Sequence, residues 1–199
     1  MNILTYPQHE ALLRRSAEPV TLATIQDPTF TSQLAELTAL LRAEPMGVAI
    51  AAPQTGWNVN LIIVSVNERC SPIADYRYFA NCSIVCKSGN NRDLEGCLSF
   101  PELFFRRDRA FKIQWQYQEV DVKNLQLAPS CTAEAVDFYA RIIQHETDHL
   151  KGILFVDEMP KSEAHKLERW LAERSVTPCP TASPVSPPPT VPLSLPQPS

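Results

Sequence analysis

The sequence predicts an α+β fold: mostly antiparallel sheets packed around one central helix, with a C-terminal helix and a disordered proline-rich tail. Three observations predict it. Runs of β-branched or alternating side chains recur between short turn signals, as hairpin-connected strands require. One long segment of helical periodicity, ending at Leu150-Lys151-Gly152, carries two of the four histidines. From Thr177 the composition changes: nine of the eighteen prolines fall between Pro178 and Ser199, mixed with serine and threonine. Such a segment cannot bury enough apolar surface to fold.

Each element has a local reason. Residues 1–20 read as an irregular arm ending at Glu18-Pro19-Val20. Asp27 is a suitable N-cap and Pro28 suits a first helical turn, so a helix opens there. Leu34, Leu37, Leu40 and Leu41 recur at helical spacing up to Arg42, and Pro45 ends the run. Met46 to Gln54 is small and apolar until it turns polar at Gln54. The β-branched run from Val59 to Val66 predicts a strand, and Tyr78-Phe79-Ala80-Asn81 leads into Ile84-Val85. Lys87 to Arg92 is a turn. Strands follow at 110–118 and 119–127; in the first, Phe111, Ile113, Trp115 and Tyr117 share one face. Thr132 is placed to cap the central helix, which runs to about Leu150 and stops at Gly152. Its apolar residues Val136, Phe138, Tyr139, Ile142 and Ile143 predict that it is largely buried. Ile153 to Val156 reads as a short strand. Lys161 to about Arg174 reads as an amphipathic helix with Ala164, Leu167, Trp170 and Leu171 inward.

At 199 residues and 44% hydrophobic content, the chain is expected to form one domain, 1–176, followed by the tail, 177–199. A net charge of −4 gives no electrostatic case for a general nucleic-acid binder. No window approaches the ~18 uninterrupted apolar residues of a membrane span, and the first residues lack the pattern of a secretory leader, so a cytoplasmic location is expected. The six cysteines include no C-x-x-C pair and are expected to be free thiols in a reducing compartment, one of them open to metal ligation. The tail's P-x-x-P spacings arise easily at this proline density and carry no assignment.

Chemistry concentrates in Gln144-His145-Glu146-Thr147-Asp148-His149, an H-E-x-x-H pattern. Histidines at i and i+4 share one helix face, so both imidazoles can reach one metal ion. The intervening glutamate can reach a water on that metal. A catalytic site usually takes three protein ligands and leaves one position open. The pattern H-E-x-x-H-x-x-G-x-x-H would supply a third histidine, and Gly152 is in place, but the final position is Phe155. Glu163 and Glu168, on the following helix, are formal alternatives. So is Cys97, in Glu95-Gly96-Cys97-Leu98-Ser99, where glycine lets the backbone bend to present a thiol.

Three motifs taken together resemble peptide deformylases, which remove the formyl group from the N-terminal methionine of new chains. The family pattern G-x-G-x-A-A-x-Q appears as Gly47-Val48-Ala49-Ile50-Ala51-Ala52-Pro53-Gln54. E-G-C-L-S is complete at Glu95–Ser99, and Q-H-E-x-D-H at Gln144–His149. The resemblance runs from Ile3 to Asp157. It implies that Cys97, His145 and His149 hold one divalent metal, ferrous iron in many members and replaceable by zinc, nickel or cobalt. It implies that Glu146 takes a proton from water on that metal and passes it to the leaving amine. The Gln54 amide and the Leu98 backbone N–H would hold the oxygen of the tetrahedral intermediate. The implied partners are N-formylmethionyl nascent peptides at the ribosome, with no nucleic acid or membrane contacted directly.

Physical chemistry agrees with these roles. Attack on a formamide creates an oxyanion, and the leaving amine needs a proton. The bare backbone of Gly47 to Ala52 suits strand-fashion binding of an extended peptide. Phe138 and Ile142, seven and three residues before His145, are expected to line an apolar methionine pocket, with Val48 and Ile50 as further candidates. Glu95, Asp148 and Arg109 are charged groups suited to orienting the ligands; Arg109 stands twelve residues after Cys97, where the family has an arginine. The chain departs from the family at Ala49, which replaces the second motif glycine and is expected to alter peptide binding. Cys82 stands where proline is common, with little effect expected. Leu103-Phe104-Phe105 is unusually apolar and reads either as a wall beside the groove or as packing on the sheet.

Overall fold

The computed structural model describes residues 1–65 and 75–175. Within them lie helices α1 (Glu10–Leu13), α2 (Leu22–Gln26) and α3 (Phe30–Ala43), then strand β1 (Ala49–Ala51) and a 3₁₀ turn (Ala52–Thr55). Strands β2 (Leu61–Ser65), β3 (Tyr76–Ser88), β4 (Asn91–Cys97), β5 (Phe100–Arg109), β6 (Lys112–Asp121), β7 (Gln126–Leu127) and β8 (Cys131–Val136) follow. Helix α4 (Asp137–Leu150), a second 3₁₀ turn (Lys161–Glu163) and helix α5 (Ala164–Ser175) complete the described elements.

The main sheet has six strands in the order β1-β2-β3-β6-β7, with β8 also paired to β6. Every pairing between these strands is antiparallel. β4 and β5 form a separate two-stranded hairpin. Strand β2 explains the layering. Its Leu-Ile-Ile-Val run is buried on both faces, so each face needs a cover. Leu61 and Ile63 pack with Ile25, Leu34, Leu37 and Leu41 of α2 and α3. Ile62 and Val64 belong to the cluster containing Phe79, Trp115, Ala140 and Ile143, which seats α4 on the other face. β1 follows the same alternation: Ala49 and Ala51 face the α4 layer, and Ile50 faces the α3 layer.

Several expected elements are corrected. The 1–20 arm contains α1 and is held in place: Leu4 N–H donates to Gln54 O at 2.7 Å and Tyr6 N–H to Ser99 O at 3.0 Å. Helix α2 was not expected; Thr21 and Thr24 cap it reciprocally. Asp27 accepts from Thr29 N–H at 2.7 Å, and α3 begins at Phe30 rather than Pro28. The whole of β5 lies where no strand was expected. The 119–127 strand is instead the end of β6, a turn and the short β7. Thr132 sits within β8 and caps nothing, because residues 131–136 pair with β6 from Tyr117 to Lys112. α4 therefore starts at Asp137, with Val136 at its N-cap, four residues later than expected. Val136 and Phe138 are about half exposed. Residues 153–156 form no strand; Leu154 and Phe155 enter a third cluster with Leu13, Phe100, Phe105 and Trp170. α5 docks through Trp170, whose Nε1 donates to Pro101 O at 2.7 Å, while Ala164 is exposed. Val66 and the 177–199 tail lie outside the described residues.

The end of α4 needs its glycine. Gly152 has φ +68°, and a Cβ there would stand 2.2 Å from Arg14 O. The chain turns at this point because Ile153 N–H donates to Asp148 O at 2.9 Å and Gly152 N–H to His149 O at 3.1 Å.

Candidate metal centre and substrate groove

Two elements bring three donors together. Cys97 ends β4, just after a register shift between Gly96 and Cys97. His145 and His149 lie one turn apart on the buried face of α4. One ligand atom from each falls within 4.8 Å of the others, and Cys97 Sγ lies 3.2 Å from His149 Nε2. Glu163 and Glu168 are not part of this group: Glu163 pairs with Lys166 at 2.7 Å, and Glu168 is exposed on α5. Phe155, the residue that closed the three-histidine option, packs its ring 5.9 Å from that of His145.

The donor set fits a divalent metal. Ligand bonds of about 2.0–2.3 Å in tetrahedral geometry bring donor atoms to within about 4 Å of one another. His145 Nδ1 is engaged by Glu95 Oε1 at 2.8 Å, which leaves Nε2 for ligation. Burial opposes charge on His145, yet Cys97 and Glu95 outweigh it and raise its pKa well above 6.5. Burial, with the charges of His145 and Arg109, keeps His149 well below that value.

Behind the ligands is a buried ionic network. Glu95 accepts from Arg109 Nη2 at 2.7 Å and Nε at 3.1 Å, and from Arg141 Nη1 at 2.8 Å. Arg109 also donates to Asp148 Oδ2 at 2.5 Å. Arg107, 1% exposed, donates to Phe155 O at 3.2 Å and pairs with Glu158. Burial would raise the Glu95 carboxyl, but the hydrogen bonds and charges of His145 and Arg109 hold it well below the usual range. Glu95, Arg109 and Asp148 thus form one connected set. Sequence reasoning missed Arg107 and Arg141. Position offered a signal for both: Arg107 shares a strand face with Arg109, and Arg141 stands one turn before His145.

Glu146 is 4% exposed, and its Oε2 has no hydrogen-bond partner. Burial pushes its carboxyl up to about 7. Gln54 has a fixed orientation: its Oε1 accepts from Ala51 N–H at 2.9 Å. Its Nε2 points to Ser99 Oγ at 3.1 Å and Cys97 Sγ at 3.7 Å.

A groove of about 690 Å³ opens on this cluster. Gly47, Val48 and Ala49 form one wall, on the side of the sheet that β1 ends. The β4–β5 hairpin, including Leu98 and Phe104, and α4, including Phe138 and Ile142, also line the groove. Ile50 is the exception among the expected lining residues: it is fully buried in the α3 layer, because its side chain leaves the opposite face of β1. Ala49 does not have positive φ, so its backbone requires no glycine; only the closeness of its methyl to the groove is altered. Leu103 and Phe105 pack inward with Phe155 and Trp170, whereas Phe104 lies over Gly96, where a Cβ would come within 2.4 Å of its ring. Both readings of the apolar triplet therefore hold, each for different residues.

A metal-binding H-E-x-x-H helix completed by a cysteine, with a buried carboxylate beside a groove, defines a metal-dependent hydrolase. Residues 1–165 match the family model described as polypeptide deformylase. The peptide deformylase of Desulfotalea psychrophila is 34% identical over 182 residues, covering 87% of this chain and 98% of its own length. That of Chromobacterium violaceum is 30% identical over 174 residues, covering 87% and 95%. Among solved structures, Plasmodium falciparum peptide deformylase superposes with a TM-score of 0.73 at 28% identity, covering 86% of this chain and 94% of that one. A class I type b peptide deformylase from Acinetobacter baumannii, with Met-Ala-Ser bound, gives 0.66 at 29%, covering 80% and 98%. The chain belongs to the peptide deformylase family. It is a metal-dependent hydrolase that removes the formyl group from the N-formylmethionine of nascent polypeptides.

Proposed function

We propose that Cys97, His145 and His149 hold a ferrous ion, that Glu146 is the proton-transfer group, and that Gln54 and Leu98 bind the developing oxyanion. The observation that carries this reading is the convergence on Cys97 Sγ, which lies 3.2 Å from His149 Nε2 and 3.7 Å from Gln54 Nε2. A bound divalent metal supplies Lewis-acid polarisation and lowers the pKa of water to about 7. Glu146, buried and with one oxygen unpartnered, accepts a proton from the attacking water and returns it to the amine leaving group. The Gln54 Nε2–H and the Leu98 N–H donate to the formyl oxygen as charge develops on it. Gly47, Val48 and Ala49 present backbone to an extended peptide, and Phe138 and Ile142 flank the methionine side chain. A thiolate with two imidazoles suits ferrous iron or zinc, and nickel or cobalt would serve in replacement.

The Met-Ala-Ser bound to the Acinetobacter enzyme supports a substrate that continues past its first residue. We infer that the substrates are chains emerging from ribosomes in the cytoplasm. Residues 1–176 form the catalytic domain in this reading, with the proline-rich segment outside it. The test is formate release from formyl-Met-Ala-Ser by the full chain, reconstituted anaerobically with ferrous iron and, in parallel, with zinc, nickel or cobalt. Release that is fastest with iron and lost in Glu146→Ala is expected. No release with any of the four metals would overturn the reading.

A further inference from the structure

The three metal donors come from two elements that share no strand pairing: the end of the β4–β5 hairpin and the buried face of α4. Something must fix one against the other, because ligand positions need to hold within about 0.5 Å. We propose that Arg141 is the positioning residue that does so, as a clamp setting the Cys97 hairpin against the histidine helix. The proposal rests on the reading above only for the identity of the three ligands.

Arg141 is 3% exposed and sits on α4 one turn before His145. Its guanidinium spends its donors on the hairpin. Nη2 donates to Asn91 O on β4 at 2.6 Å. Nη1 and Nη2 donate to Arg107 O on β5 at 3.3 and 3.4 Å. Nη1 also donates to Glu95 Oε2 at 2.8 Å. One side chain of the helix thus holds both strands of the hairpin. Glu95 completes the link, since its other oxygen receives His145 Nδ1 at 2.8 Å. Arg141 therefore reaches the cysteine through the hairpin backbone, two residues beyond Glu95, and reaches the histidine through the Glu95 carboxylate. A planar fork with five donors can make all these bonds at once, and an ammonium cannot. Arg109, the other arginine on Glu95, also joins β5 to α4, through the Asp148 carboxylate, but of the two only Arg141 bonds the backbone of both hairpin strands.

The test measures metal binding without peptide in wild type, Arg141→Met and Arg141→Lys, each as the full chain. Chelator competition gives the Zn²⁺ dissociation constant, and the cobalt-substituted proteins give the thiolate-to-metal absorption band. Loss of a group that orients a ligand typically weakens metal affinity 10–100-fold, and that range is expected for Arg141→Met, with a weakened thiolate band. Arg141→Lys should fall between it and wild type. Wild-type affinity and an unchanged band in a folded Arg141→Met protein would overturn the proposal. If that variant does not fold, Arg141→Lys decides alone: wild-type affinity and band there would show that the fork is not the clamp. A merely structural role would lower the thermal midpoint of the metal-free protein and leave both readouts untouched. Failure of formate release with normal metal binding counts against the proposed reaction, not against the clamp.

Discussion

Gln54 shows how one side chain is aimed by its own local backbone. Its carbonyl oxygen accepts from Ala51 N–H, a bond made within the 3₁₀ turn that follows β1. The amide nitrogen is thereby turned toward Cys97 and Ser99. A donor aimed before the reaction requires no reorganisation when the oxyanion forms. Gln54→Ala is expected to lower kcat by about 10²–10³-fold while leaving the metal content at wild-type stoichiometry. Steady-state kinetics on a formyl-Met peptide, with metal analysis of the same preparation, checks both halves. A kcat within threefold of wild type would remove Gln54 from the oxyanion site.

At the scale of elements, β1 is both an edge strand and a groove wall. Ala49 has no positive φ, so Ala49→Gly relieves no backbone strain. It removes a methyl from the groove and adds chain entropy, costing about 0.5–1 kcal/mol of stability. The expected outcome is an altered KM for formyl-Met-Ala-Ser with kcat within twofold; an identical KM removes the methyl from peptide recognition. What the sequence made legible at this scale follows from how local each signal was. The H-E-x-x-H helix carries its chemistry in a few adjacent residues, so the two histidine ligands could be read directly; Cys97 stood among alternatives until the three motifs were taken together. β5 could not, because its inward row is Leu103, Phe105, Arg107 and Arg109: two of the four are arginines buried against Glu95, Asp148 and Glu158. Reading polarity as exposure hides such a strand. Arg141 was hidden in the same way on α4. β8 was missed for a different reason. Its Thr-Ala-Glu-Ala run suits a helix, and pairing with β6 overrides that preference.

Across the whole molecule, parts of the chain far apart in sequence are tied together. Arg14, after α1, donates to both oxygens of Asp157 at 2.9 and 3.0 Å, across 143 residues. Burial would raise the Asp157 carboxyl, but Arg14 and the Leu154 N–H outweigh it and lower the pKa from 3.8. A depressed carboxylate adds stability above its unfolded value and loses it as pH falls through the folded one. The pair is partly exposed, with side chains 41% and 32% accessible, so solvent screening limits it to about 0–1 kcal/mol. Asp157→Asn should therefore lower the urea midpoint of the metal-free protein at pH 7, and the difference from wild type should shrink as pH falls below 3.8. A difference that persists at low pH would assign the effect to packing instead of charge.

The shortness of β1 has a bearing beyond recognition. An enzyme that binds extended peptides along a sheet edge must leave backbone groups unpaired there, and unpaired edges invite other copies of the chain to add on as strands. Here the strand runs only from Ala49 to Ala51, the hairpin with Phe104 lines the same groove, and a 3₁₀ turn carries the chain away at Ala52. Three residues offer too few ladder bonds to template a growing sheet, yet enough to grip the start of a peptide. In the proposed binding mode, the strand that receives a chain terminus offers little edge for another copy to extend.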